Sequence, residues 1–513
     1  RRIDILKYLE NAVALIDFRK AYDYGESFLK SVADARVYMK DAFYKDYCGH
    51  EDVVVSGIGH THIDVAWLWT LSQTREKAVR SFSTVLELMR RYPEYRFMSS
   101  QPQLYQFVRE DMPEVYEEIK TKVKEGRWEP EGAMWLEADC NLTGGESIIR
   151  QIMFGKRFFK KEFNKESRVL WLPDVFGYSA ALPQILNKCG IDYFITSKIS
   201  WNEYNKAPYD TFLWEGIDGS AVPTYFITAT DPGQDYEKNH RTTYNGVVQA
   251  DTVSGTWGRY QQKNLSSRVL MPYGYGDGGG GPSREMLEYG RRLACGIPGI
   301  PKFEFDSLHH FVKELSSQVE KNRSKLPRWV GELYLEYHRG TYTTMARNKR
   351  YNRRAELRLM ETEGLCTMTG TILDETYPAG ELDKVWQTVL LNQFHDIIPG
   401  SSIKQVYEES KKQYENVFKT LEMISSKARD HIVENIAVES DSLVVFNPTG
   451  FSMGNLIETR LPDWCRSVKS PEGAILPVQR SYDGKSLIFA PSVPSKGYSV
   501  FELSKEEAPA DGS

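Results

Sequence analysis

The sequence predicts an α/β protein: a parallel sheet, closed or nearly closed into a barrel, then a helical bundle and a short β-rich tail. Three observations carry this. From about residue 51 to 304, apolar strand-like runs alternate with amphipathic helical stretches, the pattern of strand–helix–strand units with right-handed crossovers. Long charged amphipathic stretches then fill 305–435. From Ser442 the texture changes to short β-runs and turns.

The elements follow in order. Residues 3–46 carry helical periodicity (Ile5, Leu6, Leu9, Val13, Leu15, Ile16) with no break until Gly25, a helical leader. Strands are expected near 53–59, 96–100, 132–137, 168–173, 192–197, 222–229 and 268–274. Helices are expected at 74–92, 104–125, 145–163, 179–189 and 283–294 between them. About seven strands over that length suit a barrel better than a small open sheet. The bundle is read from 307–322, 345–374, 382–395 and 403–435. The domains are therefore placed at 1–50, 51–304, 305–435 and 436–513, the last the beginning of a larger β-domain. Its end, 505–513, has a composition for disorder.

Composition excludes some functions. At 513 residues and a net charge of −5, the chain has no electrostatic case for nucleic acid or an anionic membrane. No apolar run is long enough to span a bilayer. Its 30 Tyr and 11 Trp suit sugar stacking, though ordinary cores use aromatics too. Six scattered cysteines without a C-x-x-C pair point to a reducing compartment. Both ends read as cut, and three N-x-S/T sequons are weak evidence for secretion.

Chemistry collects where strands end. The apolar run 53–58 leads directly into Gly59-His60-Thr61-His62-Ile63-Asp64-Val65-Ala66-Trp67. Residues at i and i+2 of an extended segment point the same way, so His60, His62 and Asp64, or two of them, can face one metal. The plainer reading is a polar loop capping a strand. Three further strand-like runs end at Asp174, Lys198 and Asp277. Each alone reads as a turn former, but together they fall on the catalytic face of a barrel. The four glycines after Asp277 lack the spacing of a phosphate loop and suggest a bend that lets a substrate approach. His395 closes a helical stretch before Pro399-Gly400, as a C-cap or beside a cation.

These residues resemble the α-mannosidases of glycoside hydrolase family 38, and within it the cytosolic (neutral) class and its microbial relatives. The resemblance runs from about 51 to 450. It rests on His60–Trp67, Glu131–Asp139, Trp171–Gly177, Tyr273–Pro282, Glu336–Thr344 and Asn392–Gly400, in that order. It implies an incomplete (β/α)7 barrel, a three-helix bundle and the start of a β-sandwich domain. It implies Zn2+, or Co2+, held by His62, Asp64, Asp174 and His395, with His60 behind them. Asp174 becomes the nucleophile and Asp277 the acid/base of a retaining mechanism. Trp67 and Phe176 become sugar-stacking walls, and Lys198, His338 and Asp396 substrate contacts. The implied substrate is a terminal α-linked mannose of an oligosaccharide, and the implied location the cytoplasm. A homo-oligomer is left open.

Two departures stand out. Met345 replaces an expected glutamine, and relatives continue for several hundred residues beyond 513, with β-domains that help close the site. The chain reads as a glycoside hydrolase that at this length lacks part of that closure, which leaves its activity at this length open. Two other readings compete. A zinc-dependent carbohydrate deacetylase would leave Asp277 and His395 idle, and a mannose-binding fragment would bind without turnover.

Overall fold

A computed structural model describes residues 2–22, 24–438 and 440–509. The chain divides into two compact units, 1–352 with 390–411, and 353–389 with 412–513.

In the first unit the β-branched run at 53–58 becomes β1, Val54–His60, buried along almost its whole length. Following it are β2 (Phe97–Ser99), β3 (Trp128–Pro130), β4 (Val169–Trp171), β5 (Tyr193–Thr196), β6 (Thr211–Glu215), β7 (Ala221–Phe226), β8 (Arg268–Tyr273), β9 (Lys302–Phe305) and β10 (Arg328–Val330). Among the described residues these fall into two sheets. One runs β3-β2-β1-β8 with β9 also on β1, all parallel. The other runs β10-β6-β7-β5-β4, parallel except for the β6–β7 pair. A parallel bridge from Gly132 to Leu170 leads from the end of β3 to β4. Three parallel neighbours crowd β1, and Gly57 makes room: a Cβ there would lie 2.0 Å from the Phe303 ring.

This mixed α/β arrangement with parallel sheets agrees with the expected class. Six of the seven expected strands lie within a few residues of their places. The seventh does not: 132–137 is not a strand, and the strand is β3, ending at Pro130. Gly132 at φ 134° and Ala133 at φ 64° turn the chain, so the apolar run Ala133–Leu136 is buried as a bend. Three strands, β6, β9 and β10, were not foreseen. The stretch 104–125 is two helices, Pro102–Asp111 and Pro113–Lys124, because Pro113 cannot continue the first. The leader breaks earlier than Gly25, its first helix ending at Ala14.

The second unit contains parts of helices Ala346–Ile372 and Lys404–Glu434 and most of Ala379–Asn392. Leu365 and Cys366 pack with Ala428 and Ile432, and the Trp386 indole donates to Glu363 at 2.8 Å. Two antiparallel sheets follow, sharing a core of Val445, Cys465, Val468, Ile488, Ala490, Val493 and Phe501. Of the stretch expected to be disordered, 510–513 lies outside the described residues, and 505–509 belongs to no strand.

Candidate metal centre and active site

Four strand ends of the first unit carry the residues singled out in the sequence. His62 and Asp64 follow β1, Asp174 follows β4, Lys198 follows β5 and Asp277 follows β8. His395 arrives from 390–411. Residues 393–395 pair with 137–139: the Asp139 amide donates to the Gln393 carbonyl at 3.0 Å and the His395 amide to the Glu137 carbonyl at 3.2 Å. The helix Ala379–Asn392 has already ended, so His395 is not its C-cap.

His62, Asp64, Asp174 and His395 converge, offering one ligand atom each within 4.8 Å of one another, all buried. His62 Nε2 lies 2.9 Å from Asp64 Oδ1. His395 Nε2 lies 3.4 Å from Asp174 Oδ2 and 3.5 Å from Asp64 Oδ1. Among the described residues it makes no hydrogen bond, an orphaned buried nitrogen aimed at two carboxylates. Two imidazoles and two carboxylates are a fitting donor set for zinc or a similar divalent ion.

The electrostatics agree. Burial works against a charged His62, yet Glu137 and Asp64 raise it well above the ordinary histidine range. Burial likewise opposes a charged His395, but Asp174 and Asp64 bring it up to about 10. Burial pushes Asp174 upward; Lys198 and both histidines outweigh that and hold it well below the usual carboxylate range. The pocket is thus built around positive charge, which protons or a divalent cation can supply.

A cavity of about 490 Å³ opens on this cluster. Asp64, Trp67, Asp174, Phe176, Lys198, Asp277, His338 and Asp396 all line it. Lys198 pairs with Asp174, both nearly buried. Asp396 is buried beside Ser401, and burial together with Asp64 pushes its carboxyl up to about 7. His338 stands at the rim, its ring 4.6 Å from that of Phe176. His60 is elsewhere. It accepts from the Trp171 indole at 3.3 Å, contacts the Met98 carbonyl at 3.0 Å, and burial holds it neutral with a pKa of about 3. Met345 is exposed.

The glycine-rich loop is a tight hairpin, Tyr275 and Gly281 exchanging backbone bonds at 2.9 and 2.8 Å. Its packing is against the protein itself. A Cβ on Gly276 would lie 2.0 Å from Asn245 Oδ1, and the Asp64 amide donates to the Asp277 carbonyl at 2.8 Å. Asp277 has φ 56°, a left-handed conformation costly for a non-glycine residue.

Sequence reasoning gave no role to Tyr244, Asn245, Trp201 or Glu137. The Tyr244 hydroxyl and the Asn245 amide each donate to Asp277 Oδ1 at 3.1 Å. Trp201 lines the cavity under the Lys198 ammonium, 3.9 Å away. Tyr244 and Asn245 sit in a stretch without periodicity, and only three-dimensional proximity reveals them. A larger cleft, about 700 Å³, lies in the second unit; its charged lining residues Lys469, Glu472 and Glu502 are exposed.

Residues 52–332 match the glycosyl hydrolases family 38 N-terminal domain, and 336–432 the alpha mannosidase middle domain. Alpha-mannosidase G of Dictyostelium discoideum is 39% identical over 490 residues, covering 91% of this chain and 43% of that protein. Alpha-mannosidase 2C1 of Homo sapiens is 40% identical over 376 residues, 73% of this chain and 34% of that protein. The chain thus spans less than half the length of these relatives. The crystal structure of an alpha-mannosidase from Enterococcus faecalis V583 has the same fold, with a TM-score of 0.69 at 18% identity over 89% of this chain and 55% of that one.

Proposed function

The chain belongs to glycoside hydrolase family 38, and from that premise we propose that the whole protein is a metal-dependent retaining α-mannosidase, removing terminal α-linked mannose from oligosaccharides. The observation that carries the reading is the buried His62–Asp64–Asp174–His395 cluster opening on the same cavity as Asp277. We read the two sheets of the first unit as the incomplete (β/α)7 barrel expected at 51–304, with β10 at Arg328–Val330 added beyond that bound. The leader 1–50, a three-helix bundle over 305–435 and a β-sandwich beginning at 436 complete the arrangement. Among the described residues no helix is long and apolar enough to cross a membrane. The cytosolic class, and so the cytoplasm, is the location we propose.

The four cluster residues would hold Zn2+ or Co2+, which supplies Lewis-acid charge that orients sugar hydroxyls. The rest is done by side chains. Trp67 and Phe176 wall the pyranose ring. Lys198, His338 and Asp396 offer polar contacts to its hydroxyls. Asp174, held ionised, attacks the anomeric carbon and forms a glycosyl ester. Asp277 gives a proton to the departing oxygen, then takes one from the water that hydrolyses the ester. With Oδ1 engaged by Tyr244 and Asn245, Oδ2 is left to exchange that proton. The deacetylase reading would leave His395 and Asp277 without work, and the site favours neither it nor a binding fragment.

The test is hydrolysis of an aryl α-mannoside by the full-length protein, with and without chelator, followed by NMR of the first-formed sugar. Chelator-sensitive release of α-mannose is expected. β-Mannose first would overturn retention, and acetate release in place of mannose would overturn the class.

A further inference from the structure

Glu137 lies in the bend that follows β3, and the chemistry above leaves it idle. Its side chain is buried, with both carboxylate oxygens within 3.2 Å of His62 Nδ1. The Ser100 hydroxyl donates to Oε1 at 3.2 Å. Its main-chain carbonyl faces the other histidine: His395 Nδ1 lies 2.8 Å from it. One residue therefore contacts both imidazoles of the cluster, each through the nitrogen turned away from the carboxylates. It reaches His62 by its side chain and His395 by its backbone.

Glu137 is itself braced. Its amide donates to Gln101 Oε1 at 3.2 Å, and Gln101 Nε2 donates to the Ile63 carbonyl at 3.0 Å, between His62 and Asp64. Gln101 holds φ 62° to do this. Ala138 bridges Phe394, the residue before His395. The bend after β3, the end of β1 and the 393–395 segment are thus tied at one point.

An imidazole that donates from Nδ1 keeps the lone pair of Nε2 for a metal, and the acceptor fixes both tautomer and ring plane. We propose that Glu137 is a positioning residue of the metal centre, setting His62 through its carboxylate and His395 through its carbonyl. This rests on the metal reading of the cluster, and the wild type tests that reading separately.

The experiment uses the full-length protein as wild type, Glu137→Gln, Glu137→Asp and Glu137→Ala, each stripped of metal. Zn2+ affinity is measured by competition with a chromophoric chelator, and the visible spectrum is recorded after Co2+ loading. Melting of the metal-free proteins is followed alongside. Glutamine keeps an acceptor at the reach of Nδ1 and is expected to bind Zn2+ within a few-fold of wild type with an unchanged cobalt spectrum. Aspartate keeps the charge but not the reach. Aspartate and alanine are expected to lose about 10–100-fold in affinity and to shift the cobalt spectrum. The His395 contact, made by the backbone, should survive in all. If alanine does not fold, glutamine against aspartate decides. Equal affinity and identical cobalt spectra for both would overturn the proposal, as would losses that merely follow metal-free melting. A wild type that binds neither Zn2+ nor Co2+ would overturn the metal reading, and the positioning role with it.

Discussion

Asp174 and Lys198 form an ion pair with both side chains at most 8% exposed, at the mouth of the metal cluster. Removing one member of such a pair strands the other's charge away from water, at about 3–5 kcal/mol. Protonated His62 and His395 also face Asp174, so Lys198→Met should destabilise the metal-free protein by less than that amount. A bound cation compensates Asp174 as well, so the loss should be smaller in metal-loaded protein. Urea unfolding of both forms checks this; equal losses would count against the shared site.

A metal held by the cluster would tie together three strand-end residues and one from 390–411. An ion bound by the native state alone stabilises it in proportion to the logarithm of its concentration over Kd, about 4 kcal/mol at a thousandfold excess. Chelation should lower the melting temperature by several degrees and speed amide exchange in 393–400. Unchanged melting after proven metal removal would refute the shared ligation.

The two carboxylates should part company under substitution. Asp277→Asn should slow hydrolysis of mannosides with poor leaving groups by about 10²–10⁴-fold, the usual worth of general acid–base catalysis. An activated aryl mannoside should still react, and mass spectrometry should find mannose covalently attached at Asp174. Asp174→Asn should abolish turnover of both substrates and weaken the metal. Tyr244→Phe removes one of two donors to Asp277 Oδ1 and should give a milder form of the Asp277→Asn profile, steepest for poor leaving groups.

Glu131 supplies a pH dependence remote from the cluster. Burial pushes its carboxyl up to about 7, against donation from Ser167 and the Gly132 amide. Its folded pKa lies above its unfolded one, so between about 4.5 and 7 the folded state holds a proton that the unfolded state has released. Stability should fall as pH rises through that window, by up to about 1.4 kcal/mol per pH unit. It should then level off. Glu131→Gln should flatten the difference, as melting across pH 4–8 would register.

Much of this was written locally. The β-branched run before His60 announced β1, and with it the place of His62 and Asp64. Asp174, Lys198 and Asp277 were legible because each directly follows an apolar run. Other features were not. Ala133–Leu136 is as apolar as a strand, and only the positive φ at Gly132 and Ala133 makes it a bend. β9, Lys302–Phe305, alternates with charges as an exposed loop also does. β10 is three exposed residues, and β6 holds the apolar run Phe212–Trp214, short and flanked by polar residues. His395 read equally as a helix cap, since the carbonyl that orients it belongs to Glu137, 258 positions earlier. Contacts over such separations leave no period in the chain.

The Asp64 amide bonded to the Asp277 carbonyl has a consequence for anyone who would re-engineer this chain. The end of β1 and the 275–281 hairpin behave as one graft. Thr61 holds the Tyr275 carbonyl at 2.8 Å, and Ile63 bridges Gly278. A hairpin transplanted from a relative without its own 61–64 segment would arrive with its acid misaligned and would drag Asp64 along with it. With the roles proposed for Asp277 and Asp64, leaving-group preference and metal retention would be inherited together, and selection for either one would act on both.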